Sequence, residues 1–268
     1  MTENNIRYYH VGGLTLRVDA PDYEDSAALA PFRGQPAPAD LVCRLIFSPA
    51  DELLARRAEA AKVELHEKTG EVLYEVFPES EASILVRFND AYPECIGPNL
   101  ILRLTDLPGR VVRQFGGVFL HSSFVDLGGE ALLFTAEKQV GKSTQARLWK
   151  QFRGAETVNG DRSLLRRLDG RWCACGSPYC GTSKISKDRI LPVRAIVLLS
   201  QAPLNRARPA RQAEAFAALL RGCSFDPSDR ESMEKFTLLA QQIAAEVPFY
   251  QLACTPDERA VAELEKLL

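Results

Sequence analysis

The sequence predicts an α/β chain in two parts: a mostly β N-terminal region, residues 1–112, and a core, residues 113–268, in which strands feed helices. Three observations carry that expectation. Residues 131–152 run from an apolar strand, Ala131–Phe134, through a loop ending in Gly141-Lys142-Ser143-Thr144, into a helix with apolar Ala146, Leu148, Trp149 and Phe152. After that helix, buried-strand patterns alternate with helical ones to the end of the chain. Before residue 95, short alternating segments are separated by glycine turns.

In chain order, Ile6–His10 and Leu14–Asp19 flank Gly12-Gly13 and read as a hairpin. Residues 20–40, with Pro21, Pro31, Pro36 and Pro38, read as loop with one helical turn. Leu41–Ser48 is a strand, and Ala50–Ala61 a short helix or a charged loop. Val63–Glu67 and Glu71–Phe77 flank Lys68-Thr69-Gly70 as a second hairpin, and Ser83–Phe88 alternates as another strand. Asn99–Gln114 suits a helix broken at Pro108-Gly109. Then Gly116–His121, Ser123–Asp126 and Ala131–Phe134 are closely spaced strands. Ser163–Leu168 and Trp172–Cys175 form a hairpin on Asp169-Gly170, and Gly176–Ser186 is a loop of small polar residues. Pro192–Ser200 is a buried strand, Glu214–Leu220 and Ser232–Val247 are helices, Phe249–Ala253 is a strand, and Pro256–Leu268 a last helix.

The composition bounds the possible roles. A net charge of −2 over 268 residues lacks the basic footprint of a nucleic-acid partner. Seven cysteines behind a polar, acidic start predict a reducing cytoplasm rather than a disulfide scaffold. No apolar run approaches the ~20 residues of a membrane span. A soluble cytoplasmic protein without a membrane partner is expected.

Strand, loop, Gly-Lys-Ser and helix in that order is the layout of a phosphate-binding loop. Backbone N–H groups of Ala136, Glu137, Lys138, Gln139, Val140 and Gly141, and of the helix start at Thr144, would face phosphate oxygens. Lys142 would pair with the β- and γ-phosphates and the Ser143 hydroxyl would hold Mg²⁺. The strict pattern has glycine where Ala136 stands, and Gln139 occupies a position where related loops often place glycine to permit a positive φ. The competing reading is a surface loop with a lone lysine. Such a loop needs an acid partner, and Asp161, in Asn159-Gly160-Asp161-Arg162, is the candidate; the alternative is that Asn-Gly-Asp is only a turn.

Taken together, His121 in the strand pair before the loop, Val140-Gly141-Lys142-Ser143, and Asn159-Gly160-Asp161-Arg162 resemble the HPr kinase/phosphorylase family and its phosphoenolpyruvate-carboxykinase-like relatives over residues 113–205. The residues before 113 do not match that family's N-terminal domain, and its long glycine-rich C-terminal signature has no counterpart. The resemblance implies a P-loop kinase core using ATP and Mg²⁺, with Lys142, His121 and Asp161 catalytic and Ser143 and Asp161 on the metal. It implies a homo-oligomer and places His121 near the transferred phosphate. HPr kinases carry two adjacent acids where this chain has Gly160-Asp161, so a second acid such as Glu156 would have to help. The chain looks more like the HPr-kinase-like enzymes of peptide-biosynthesis clusters, which implies a Ser/Thr hydroxyl of a peptide or small protein, or a small-molecule hydroxyl, as acceptor.

Further candidates are Thr182, Ser183 and Lys184, with Arg162, for contact with acceptor or phosphates, and Arg206 for the nucleotide. The cluster Arg206, Arg208 and Arg211 reads equally as a solvated face. Cys173, Cys175 and Cys180 lack the paired spacing of common zinc sites, and His10 and His66 read as ordinary histidines. Two rival functions stand beside the kinase: a nucleotide-binding module without catalysis, and a carboxykinase-like enzyme acting on an organic acid. Peptide recognition by an edge strand of the N-terminal region is a third reading, one that coexists with the kinase.

Overall fold

Alternating apolar residues build a sheet in each of the two units, Met1–Leu107 and Pro108–Leu268, into which the chain divides. The structure is a computed structural model that describes residues 5–21, 27–55, 57–96 and 98–268; the expected loop at 20–40 and helix at 50–61 therefore lie partly outside the described residues.

The first unit holds a seven-stranded sheet. β1 (Asn5–Val11) and β2 (Leu14–Ala20) form the expected hairpin, with Gly12 and Gly13 at φ 58° and 77°, the mirror-image turn that suits strand twist. β3 (Arg33–Gly34) pairs with β1, and β4 (Leu41–Ser48) runs parallel to β2. α1 (Ala50–Ala55) follows β4. The second hairpin is β5 (Lys62–Leu65) and β6 (Val72–Ser80), and β7 (Ser83–Asn89) joins β6 to β4. The sheet order is β3-β1-β2-β4-β7-β6-β5, so it ends on short strands of two and four residues.

The helical stretch at 98–114 breaks before the expected place. α2 (Pro98–Leu104) ends and α3 (Leu107–Gln114) begins around Asp106, at φ 42°. Pro108 falls in the first turn of α3, where a missing N–H costs no helical hydrogen bond.

In the second unit the two expected strands at 116–126 are one, β8 (Gly117–Leu127), because the serines between them are buried in the sheet. Ser122 is fully buried and its hydroxyl donates to Ser163 Oγ at 2.9 Å. A turn on Gly128 and Gly129 leads into β9 (Glu130–Thr135), then α4 (Lys142–Arg153). β10 (Glu156–Asn159) was not expected as a strand and pairs with β8. β11 (Arg162–Leu168) and β12 (Arg171–Cys175) form the expected hairpin, followed by β13 (Ile190–Gln201). β14 (Arg206–Pro209), α5 (Gln212–Gly222), β15 (Cys223–Ser224), α6 (Arg230–Glu246), β16 (Phe249–Cys254) and α7 (Glu258–Glu265) complete the chain.

β9, β13 and β16 run parallel at the centre of this nine-stranded mixed sheet, buried on both faces. Leu132 and Phe134 of β9 pack with Ala146, Leu148 and Trp149 of α4 and Val261 and Leu264 of α7. Ala131 and Leu133 pack on the other side with Leu219 of α5 and Phe236, Ala240 and Ile243 of α6. Helices on both faces explain the unbroken apolar runs of β9 and β13. Among the described residues no helix is long and apolar enough to cross a membrane.

Candidate active site

The carboxyl end of β9 is where a ligand crevice is expected in such a sheet, and there the chain leaves Thr135, loops through residues 136–141 and enters α4. The loop turns through Gln139 at φ 68° and Gly141 at φ 130°. The positive φ at residue 139 is one that glycine adopts without steric cost, and here glutamine bears it. Gly141 is the N-cap of α4 and supplies no side-chain cap, so the first N–H groups of a helix of 12 residues are left to other acceptors. Lys142 folds back over the loop. Its Nζ donates to Ala136 O at 3.0 Å and Glu137 O at 3.2 Å. The side chain is buried, which lowers its pKa from the ordinary lysine value, while the charge of Asp161 pulls the other way. Ser143 is exposed in the first turn of α4.

Strand pairing delivers the other half. His121 of β8 stands opposite Arg162 of β11, and Ser122 N donates to Asp161 O at 2.9 Å. Asn159 is fully buried; its Oδ1 accepts from Asp161 N and Arg162 N, both at 2.9 Å. Asn-Gly-Asp is thus a turn, and the turn is what presents Asp161. His121 Nε2 lies 3.3 Å from Asp161 Oδ1, and Arg162 Nε 3.7 Å from Asp161 Oδ2. The hydrogen bond from His121 above all, with the charges of Arg162 and Lys142, holds the Asp161 carboxyl below the usual aspartate range against the opposing effect of burial. Lys142, His121 and Asp161 therefore converge, and Arg162 belongs to the same cluster while also donating to Ser224 Oγ.

The loop 176–186 packs over this turn. Ser183 fills the space beside Gly160: a Cβ there would lie 2.4 Å from Ser183 Cβ. The space beside Gly160 is thereby closed to a larger side chain by the chain's own serine. Glu156, the expected helper, points elsewhere, bonded to Lys187 at 2.5 Å and 3.7 Å from Arg189. Thr182 and Lys184 are exposed on the same loop. Arg206 lines a separate groove with Arg259, Glu263 and Lys266, on β14 at the edge of the sheet beyond β16.

Beside the loop opens a cleft of about 1260 Å³ walled by residues 136–140, His121, the end of β13 and one face of α5. That face, Glu214, Ala217, Ala218 and Arg221, follows helical spacing, and Arg221 lines the cleft with no ion-pair partner among the described residues. Arg221 was missed in the sequence, although its i, i+3, i+4, i+7 spacing from Glu214 was visible. Glu214 instead binds Arg208 at 2.8 Å and Arg211 at 2.9 Å, so those two arginines are anchored to the cleft wall.

Among the described residues no three His, Cys, Asp or Glu side chains group as metal ligands. One carboxylate and one hydroxyl, the donor types of Asp161 and Ser143, suit Mg²⁺, which takes one or two protein oxygens and completes its shell with phosphate and water. It does not fit a dedicated zinc cage.

No protein-family model matches the chain, and no match was found among curated proteins. Among solved structures the chain is similar to the Hpr(Ser) kinase/phosphatase from Coxiella burnetii, at 14% identity and a TM-score of 0.33, over 56% of this chain and 87% of that one.

Proposed function

We propose that the protein is a phosphotransferase that moves the γ-phosphate of ATP to a hydroxyl, most simply that of a Ser or Thr in a peptide or small protein. The observation that carries the reading is the meeting of a buried lysine at a strand–loop–helix turn with a carboxylate that it influences, Asp161, itself bonded to His121. The motif resemblance to HPr kinases supports it.

In this reading the uncapped N–H groups of α4 and the loop backbone bind the triphosphate, and Lys142 exchanges its two carbonyl partners for phosphate oxygens. Arg221 adds a second cation from the opposite wall. Mg²⁺, held by Ser143 and Asp161, would neutralise phosphate charge when bound. Asp161 accepts the proton of the attacking hydroxyl, and His121, donating from Nε2, keeps that carboxylate oriented. The small side chains Ala217 and Ala218 leave room in the cleft for an acceptor backbone.

Calorimetric titration with Mg-ATP tests the reading. Micromolar binding is expected for the wild type and none for Lys142→Ala, whose fold is checked by circular dichroism. Equal binding by both proteins would remove the loop from the site. A second reading, nucleotide binding without transfer, is favoured by Ser183 standing where a second acid would be. It predicts Lys142-dependent binding with no ADP formed in the presence of any acceptor.

A further inference from the structure

We propose that Thr182 is a phosphate acceptor within this chain, so that the protein phosphorylates the loop that covers its own Asp161. The inference rests on the phosphotransfer reading above and names one substrate for it.

The loop is clamped to the 159–162 turn at several points. Asn159 Nδ2 donates to Ser177 O at 2.8 Å, Arg162 N to Tyr179 O at 3.2 Å, and Ser186 bridges back to Asn159. At its tip, Gly181–Ser183 forms one tight turn bracketed by Gly181 at φ 54° and Lys184 at φ 55°. The turn rests on the catalytic carboxylate. A Cβ at Gly181 would lie 2.8 Å from Asp161 Cγ and 3.1 Å from its Oδ1, so the backbone of residue 181 is in contact with that side chain.

Two hydroxyls ride on this tip, and one is occupied. Ser183 Oγ donates to Cys180 O at 2.6 Å and accepts from Ile185 N at 3.2 Å. Thr182 is exposed, and its hydroxyl has no hydrogen-bond partner among the described residues. Neighbouring Cα atoms are about 3.8 Å apart, so residue 182 follows the Asp161 contact within a side chain's reach. A hydroxyl one residue along from a backbone pinned on Asp161 has the positional advantage of an intramolecular acceptor.

In the transfer, Thr182 Oγ1 forms a bond to the γ-phosphorus of the nucleoside triphosphate. The bond from that phosphorus to the β–γ bridging oxygen breaks, and the nucleoside diphosphate leaves with the electron pair. The hydroxyl proton passes to the Asp161 carboxylate. The product carries about −1.5 to −2 charges beside a carboxylate, so modification is expected to loosen the loop from the 159–162 turn.

The test incubates the full chain with Mg-ATP, follows intact mass and maps the site by fragmentation, with Mg-ATP calorimetry in parallel. The expected result is the mass of one phosphate on Thr182, formed at a rate per molecule that dilution does not change. Thr182→Ser keeps the label, while Thr182→Val and Lys142→Ala lose it. Nucleotide binding without a label, a label on another residue, or a rate that falls on dilution overturns this inference and leaves the nucleotide reading standing. No nucleotide binding by the wild type overturns both.

Discussion

Gln139 and Asp161 show how much the site asks of single residues. Gln139 holds a left-handed conformation at φ 68° that costs an L-residue about 1–2 kcal/mol. Gln139→Gly removes that cost and adds some backbone entropy loss, leaving a gain of up to about 1 kcal/mol. The melting temperature is expected to rise by a few degrees; a fall would show that the glutamine side chain holds the loop. For Asp161 the folded-state pKa is depressed, chiefly by the His121 hydrogen bond. Its contribution to stability is therefore fully present above the unfolded value of about 3.9 and is lost as pH falls through the lower folded value. Urea midpoints of wild type and Asp161→Asn should differ at pH 6 and converge below pH ~4. Because the side chain is about a third exposed, added salt should narrow the gap. A gap that widens in acid would contradict the assigned direction.

At the scale of elements, α4 carries the phosphate-facing end and also anchors the sheet. Trp149 is 1% exposed, with its ring 6.3 Å from that of Phe134 on β9. This aromatic contact lies in the core that joins the strand entering the loop to the helix leaving it. Trp149→Ala should cost about 3–5 kcal/mol and lower nucleotide affinity with it, because the loop's two ends lose their common support. Normal affinity in a destabilised variant would mean that the loop is positioned locally. The helix was visible in the sequence from its apolar spacing. β10, β14 and β15 were not, since strands of four, four and two residues carry too little alternation to stand out and form because an adjacent strand offers unpaired backbone.

For the whole molecule, every residue of the candidate site lies in the unit Pro108–Leu268, which contains both packed faces of its own sheet. Residues 108–268 expressed alone should fold cooperatively and bind Mg-ATP within a few-fold of the full chain, read by calorimetry. Loss of the fold on removing 1–107 would show that the second core is incomplete without the first unit.

The strand–loop–helix at 131–153, the Gly-Lys-Ser sequence and the presence of Asp161 and His121 were legible from local pattern, because periodicity and loop chemistry depend on near neighbours. What only the tertiary structure decided was who meets whom. Strand register places His121 opposite Arg162 and beside Asp161. The loop 176–186 brings Ser183 into the space left by Gly160, and α5 turns Arg221 into the cleft. The same pairing sends Arg206 to a far edge and Glu156 to Lys187. Each of these depends on contacts between residues distant in the chain, and no local pattern encodes the register or the packing that creates them.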